Sequence, residues 1–322
     1  MNFPISLSLT PIAASDAVPL SQWLTTEGGV RWIPLGSTNA IARVMAVFDT
    51  PGDRLSQLQT LARQRSRLRC YDKTYQIVAV TPHPQPLHLL RVGLRPRRTM
   101  PDSVGRAIHA QCLRWIEAGD SSLSQLVHDA PSSPWGLGCW QQEGNWYLSI
   151  GLLQAELLSP LLWGMAADLG GTLTLAKVPC DLGSIVELVA ANSYDGLLQQ
   201  KPRSSLTLEL RSPTSFKQQK DIQPFPLVDS VFNSLLRRWN LFAPDAQKLP
   251  EQIEWGGVVA AYDLKTYAPK MRAAEIGALG WIRYRFRDRD CQQQATALAG
   301  FAEYAGIGRK TAMGMGQAVT SF

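Results

Sequence analysis

Between Ser205 and Phe322 the hydrophobic pattern switches between period two and period 3.6 in a fixed order, and that order is the strongest constraint on the fold. Ser205-Leu206-Thr207-Leu208-Glu209-Leu210 alternates as a strand does. From Pro224 to Trp239, the residues Val228, Val231, Phe232, Leu235, Leu236 and Trp239 form one helical stripe. Strands are predicted over Trp255–Tyr262 and Leu279–Arg287, the second with Ile282, Tyr284 and Phe286 on one face. A helix is predicted over Gln292–Ala305 with Gly306 as its C-cap, then a last strand over Gly316–Phe322. Strand–helix–strand–strand–helix–strand is the ferredoxin-like order.

The middle of the chain repeats it. His88–Leu94 reads as a strand, and Asp102 or Ser103 caps a helix to about Ala118. A short helix over Leu123–Val127 follows. Trp135–Trp140 and Trp146–Leu153 form a hairpin turning at Glu143-Gly144-Asn145. Ala155–Leu169 is helical, Thr172–Val178 is a strand, and residues 181–203 join the two units. The expected class is α+β: two tandem ferredoxin-like (RRM-like) domains over 86–203 and 204–322, with an N-terminal α/β segment over 1–85. In that segment, strands are expected near Ile5–Leu9, Val44–Phe48 and Tyr75–Val80, and a helix over Arg54–Arg69. Arg63, Arg65, Arg67 and Arg69 read as a solvated helix face, with RNA contact the second reading.

Composition narrows the chemistry. The 322 residues carry a net charge of +6, a bias toward polyanionic partners. Five cysteines lie far apart without paired spacing, which fits neither a disulfide framework nor a zinc site. The expectation is a cytoplasmic protein with no membrane span, no metal and no cofactor.

Gly306-Ile307-Gly308-Arg309-Lys310-Thr311-Ala312-Met313-Gly314-Met315-Gly316 suggests a backbone cradle for phosphate, to which Arg309 and Lys310 add charge. It is not a nucleotide P-loop, because Arg309 stands where that motif needs glycine and too little chain follows for a helix and a sheet. Of four histidines, His83 and His88 beside a proline-rich stretch read as structural. His109 shares a helix face with Arg106, and His128 ends the next helix, so the two can converge. On spacing alone a structural pair remains the competing reading. Arg91, Arg95, Arg97 and Arg98 cluster near the first strand of the central unit. Arg283, Arg285, Arg287 and Arg289 repeat with period two on one strand face, as phosphate contacts do. A histidine pair with cations and no carboxylate cluster suits RNA cleavage by its own 2′-hydroxyl.

These segments together resemble the CRISPR-associated endoribonuclease family Cas6. They are Gly105-Arg106-Ala107-Ile108-His109-Ala110, Leu126-Val127-His128-Asp129, Ser212-Pro213-Thr214-Ser215-Phe216-Lys217-Gln218, Ser234-Leu235-Leu236-Arg237-Arg238-Trp239-Asn240 and the glycine loop, in the family's order. The resemblance spans about residues 86–322. It implies paired ferredoxin-like domains and metal-independent cutting of precursor CRISPR RNA within its repeats, leaving a 2′,3′-cyclic phosphate. It also implies catalytic roles for His128, His109 and Arg106. It implies RNA contacts in the glycine loop, at Gly306, Gly308, Arg309, Lys310, Gly314 and Gly316; Lys217 of the third segment and, from the charge pattern, Arg283 and Arg285 are further candidate RNA contacts. The partner implied is a repeat stem-loop; residues 1–85 fall outside the family pattern and carry no assigned role, with docking on subunits of an effector complex one option for them. Two departures stand out: the first helix lacks the tyrosine many members carry, and Trp135-Gly136-Leu137-Gly138 replaces the usual Phe-Thr-x-Ser-Pro. The alternative is a non-catalytic subunit that holds guide RNA; a protein with unrelated tandem RRM-like domains is weaker, because no RNP motif is present.

Overall fold

The computed structural model describes residues 3–14, 16–24, 29–38, 41–49, 52–64, 66–70, 72–268 and 275–321. The C-terminal domain follows the order its periodicity predicts. Strand β12 (Ser205–Thr214) and the small hairpin β13 (Phe216–Gln218) and β14 (Asp221–Gln223) lead to helix α7 (Val228–Phe242). Then come β15 (Val258–Tyr267), β16 (Gly277–Arg285), α8 (Arg289–Ala305) and β17 (Ala318–Ser321). The sheet order β15-β16-β12-β17 is ferredoxin-like. Ile282, Tyr284 and Phe286 are buried as their alternation requires. The four-arginine strand face is shorter than expected. Asp288 accepts from Cys291 N and starts α8 early, so only Arg283 and Arg285 lie on β16, Arg287 follows it and Arg289 opens the helix.

The central domain comprises β7 (Leu87–Pro96), α3 (Val104–Gly119), α4 (Ser121–Asp129), β8 (Trp135–Gln142), β9 (Asn145–Leu152), α5 (Leu158–Met165), β10 (Thr172–Leu175) and β11 (Val178–Asn192). The expected connector 181–203 is largely strand. Residues of β11 pair with β7 from Cys180 to Asn192, and only the short helix α6 (Tyr194–Leu198) and its flanks link the domains. The strand reads poorly because bulges after Leu182 and Leu188 break its alternation.

The N-terminal segment holds β1 (Ile5–Ile12), β2 (Val18–Pro19), α1 (Leu20–Trp23), β3 (Val30–Thr38), β4 (Ile41–Phe48), α2 (Arg54–Gln64), β5 (Arg67–Cys70) and β6 (Lys73–Pro82). Its strands run β6-β1-β4-β3, all antiparallel, which is the ferredoxin-like order a third time. The expected helix to Arg69 ends at Gln64; Arg67 and Arg69 sit on β5, Arg67 paired with Asp16, and Arg65 lies outside the described residues. Ile5, Leu7 and Leu9 alternate inward against Leu58 of α2. The opposite face is also apolar: Ile33, Leu35, Met45 and Val47 join the central domain's core. Arg31 donates to the Trp163 carbonyl and stacks on that ring at 4.3 Å. β3 pairs with β11, so one sheet runs β2-β5-β6-β1-β4-β3-β11-β7-β9-β8, with β10 on β11.

The C-terminal domain docks on the other face of that sheet. Gly136 and Gly151 are cross-strand partners, and a Cβ on Gly151 would lie 2.1 Å from the Tyr304 carbonyl at the end of α8. Side chains there would push the two domains apart.

His83 and His88 fill the junction of β1, β6 and β7. Their rings are 6.3 Å apart, and His83 Nε2 is 2.9 Å from Ser6 Oγ. Both ring nitrogens of His88 are buried without a hydrogen-bond partner. Burial lowers His83 to about 4 and His88 to about 3, with Arg43 and the neighbouring histidine adding to it. The fold thus holds both rings neutral, while the unfolded chain protonates them near pH 6.5. Stability is complete above pH 6.5 and should fall as pH drops toward 4 and then 3, by up to about 1.4 kcal/mol per pH unit per histidine. Urea midpoints measured from pH 7 to 4 check this, and His88→Phe should flatten the slope.

Candidate active site

Helix α3 buries Ile108, Cys112, Trp115 and Ile116, a stripe at helical spacing. That rotation leaves Arg106 exposed and His109 half-buried. Asp120 then takes an extended conformation and its carboxylate accepts from Leu123 N at 2.9 Å, so α4 starts after a tight turn. α4 ends at His128 and Asp129. A charge on His128 disfavours one on His109.

The two rings have different environments. Trp135 Nε1 donates to His109 Nδ1 at 3.4 Å, with the rings edge-to-face at 5.5 Å. A hydrogen bond to the Ala312 backbone holds the ring from the glycine loop. Burial, then the His128 charge, push His109 below the usual histidine range, and the Ala312 bond partly opposes them. His128 is exposed, with Nδ1 3.0 Å from Asp129 Oδ1. Asp129 also accepts from Gln125 Nε2 at 2.7 Å, and these two bonds hold its carboxyl below the usual range. With Nδ1 turned to the carboxylate, His128 presents Nε2 outward.

The glycine loop differs from the open phosphate cradle the sequence suggests. Its amides are largely engaged within the protein: Ile307 N to Gly316 O at 2.7 Å, Arg309 N to Ser215 O at 3.0 Å, Gly316 N to Pro213 O at 3.0 Å and Met313 N to Lys310 O at 2.8 Å. A Cβ on Gly316 would fall 2.0 Å from the Ile307 carbonyl, so this glycine serves backbone-on-backbone packing. Gly306 caps α8, and Gly308 packs on the Ser215 carbonyl. Arg309 and Lys310 both pair with Glu275, a carboxylate only 3 % exposed, Arg309 at 3.2 Å. The loop reaches across to α3: a Cβ on Gly105 would lie 1.8 Å from the Met313 carbonyl, and Gly314 is beside it.

Behind this contact lies a residue that spacing did not single out for a role. Arg238 of α7 is buried and donates to the carbonyls of Ser133, at 3.0 Å, and Trp135, and to the Thr311 hydroxyl. It forms no ion pair among the described residues, and burial lowers it to about 10. One cation thus joins α7, the start of β8 and the glycine loop around His109. A signal was present: Arg238 falls seven residues after Val231, on an otherwise apolar stripe. A cavity of about 380 Å³ opens alongside, lined by Ser132, Ser133, Arg237, Arg238, Lys310 and Ala312.

Other expected contacts lie elsewhere. Arg283 and Arg285 occupy the open sheet face of the C-terminal domain, Arg283 bonded to Thr207 Oγ1 at 3.1 Å and stacked on Trp281. Lys217 is exposed on the β13–β14 hairpin. Arg97 is paired with Asp181. Among the described residues no helix is long and apolar enough to cross a membrane.

The fold and site thus define a protein of tandem ferredoxin-like domains, with a glycine loop of one pressed on a histidine-bearing helix of the other. Residues 208–318 match the model of the family described as CRISPR-associated endoribonuclease Cas6. A Streptococcus thermophilus protein of that name is 22% identical over 211 residues, 62% of this chain and 86% of its own. A Cas6 product complex from Thermus thermophilus superposes with a TM-score of 0.64 at 21% identity, covering 74% of this chain and all of that one. A second Cas6 product complex gives 0.62 at 25% identity, covering 73% and 99%. The family match itself is confined to residues 208–318 of the C-terminal domain. Those superpositions leave about a quarter of this chain uncovered.

Two substitutions test the architecture. Gly105→Ala gains about 1 kcal/mol of helix propensity but forces the loop off α3. It should relieve the burial of His109 and raise its titration midpoint toward 6.5, read by NMR. Arg238→Met should cost stability, about 1–3 kcal/mol for each carbonyl stranded, read from urea unfolding.

Proposed function

We propose that the protein is a metal-independent endoribonuclease that cuts precursor CRISPR RNA within its repeats. The observation that carries this is His109 held by the Ala312 backbone of the glycine loop, within reach of the His128 charge, where Ala312 also lines a cavity with Arg237, Arg238 and Lys310. The relatives include an endoribonuclease and structures titled as product and substrate-mimic complexes.

The arrangement supports a division of labour. His128 Nε2, outward because Asp129 holds Nδ1, takes the proton of the attacking 2′-hydroxyl. The O2′–P bond forms and the P–O5′ bond breaks. His109 in its protonated form gives a proton to the departing 5′-oxygen. The products are a 2′,3′-cyclic phosphate and a 5′-hydroxyl, and the reaction needs no metal. The lowered pKa of His109 makes it a strong acid that is sparsely protonated when RNA is absent. A phosphate arriving beside it favours the charged ring. Arg106, on the same helix face, and Arg237 on the cavity wall are placed to stabilise the extra charge on the phosphorane. A repeat stem-loop is the expected substrate, read by shape and phosphate contacts.

His128→Ala and His109→Ala should each slow single-turnover cleavage by about 10²–10⁴-fold while repeat RNA still binds, and EDTA should have no effect. Full activity of both single variants and the double variant would remove these histidines from the reaction; a stable shift of uncut RNA by the wild type would favour a guide-RNA-holding subunit. An RNA with a 5′-bridging sulfur needs no acid at its leaving group, so it should rescue His109→Ala and leave His128→Ala slow. His128→Gln should move the NMR titration of His109 upward.

A further inference from the structure

The third ferredoxin-like domain creates a cavity that neither domain forms alone. Among the described residues, β3 and β11 meet at one parallel pairing, Leu35 beside Val186. At that seam lies a cavity of about 450 Å³. The N-terminal domain supplies Gly36 and Arg43, the central domain Arg91, Tyr147 and Glu187, with Ile185 and Val189 as an exposed apolar rim.

These groups match the parts of a nucleotide. Arg43 is held in place by two bonds to the Gly36 carbonyl, at 3.1 and 3.2 Å, which leaves its positive charge for a phosphate. Tyr147 and the apolar rim offer a face to a base. Glu187 offers a carboxylate to base amino groups, with Arg91 only loosely paired to it at 3.6 Å. Arg91 Nε is buried without a hydrogen-bond partner.

A run of ring and guanidinium contacts also leads from the seam toward α3. Arg91 stacks on Tyr147 at 5.5 Å and on Trp140 at 5.7 Å, and Arg211 of the C-terminal domain lies over Trp140 at 5.9 Å. Trp140 and Arg211 line a second cavity with Met313, Gly314 and Gly105, beside the helix that carries His109. Alternating rings and guanidiniums suit a single strand, whose bases stack while its phosphates pair.

We propose that the seam between the N-terminal and central domains binds one unpaired nucleotide of the substrate RNA, outside the segment being cut. This rests on the RNA reading above. The site exists because of the added domain, so it gives residues 1–85 a role in substrate grip.

The test compares two RNAs by filter binding and single-turnover cleavage: a minimal repeat hairpin around the cut, and the same hairpin with a single-stranded flank of about ten nucleotides on each side. Arg43→Gln and Tyr147→Leu should each weaken binding of the flanked RNA at least ten-fold and leave binding and cutting of the minimal hairpin unchanged. Ultraviolet cross-linking of the flanked RNA should label the peptide carrying Tyr147 in the wild type. Wild-type affinity of both variants for the flanked RNA overturns the proposal, as does an equal loss for both RNAs. Tight binding of free AMP or GMP at this seam, unaffected by the flanked RNA, also overturns it. If the wild type neither binds nor cuts either RNA, the endoribonuclease reading fails first.

Discussion

The Met313 carbonyl occupies the space where any side chain at position 105 would stand, and the placement of the site depends on that contact. It brings the last loop of the chain against the first turn of α3, two hundred residues earlier in sequence. Ala312 reaches His109 because Met313 is seated there. Arg238 secures the same junction from behind. A buried cation without a carboxylate is costly unless its donors are met. Arg238 offsets part of that cost with two carbonyls and a hydroxyl drawn from two domains, its Nε being buried without a partner. The result is a helix, a strand end and a loop that cannot shift independently.

The loop's own chemistry follows from this role. Glycines that read as a phosphate cradle mostly permit backbone to pack on backbone. The two cations beside them neutralise a buried Glu275. Their charge is therefore partly offset, and Arg106 and Arg237 are the freer cations near the histidines. The differing environments of the two histidines come from the same assembly. His109 is covered by Trp135 and the loop, whereas His128 projects at the end of a short helix with its own carboxylate.

Three ferredoxin-like units arise from one chain by two modes of joining. The N-terminal and central domains share a sheet edge and bury apolar side chains between them, so β4 is apolar on both faces. The central and C-terminal domains meet where two cross-strand glycines make a flat patch for the end of α8. The first mode extends a surface; the second brings the glycine loop against the helix that carries His109.

Much of the fold was legible because hydrophobic period is a local property. The C-terminal domain, α3, the β8–β9 hairpin and the Arg106–His109 face could be read directly from spacing. The elements that read poorly are those whose pattern tertiary contact overrides. β11 is bulged, β3 and β4 are buried on both faces, and α2 gives way to β5 within a basic run. The histidines were identifiable as a pair, but the sequence could not say that Trp135 covers one and Asp129 orients the other. By itself the sequence determined the order of strands and helices, the residues facing each core and the family they resemble, since these depend on neighbours three or four positions away. Only the tertiary structure decided that Arg238 holds the site, that Arg309 and Lys310 face Glu275, and that residues 1–85 complete a third sheet. Those outcomes depend on contacts between segments far apart in the chain, which no local spacing encodes.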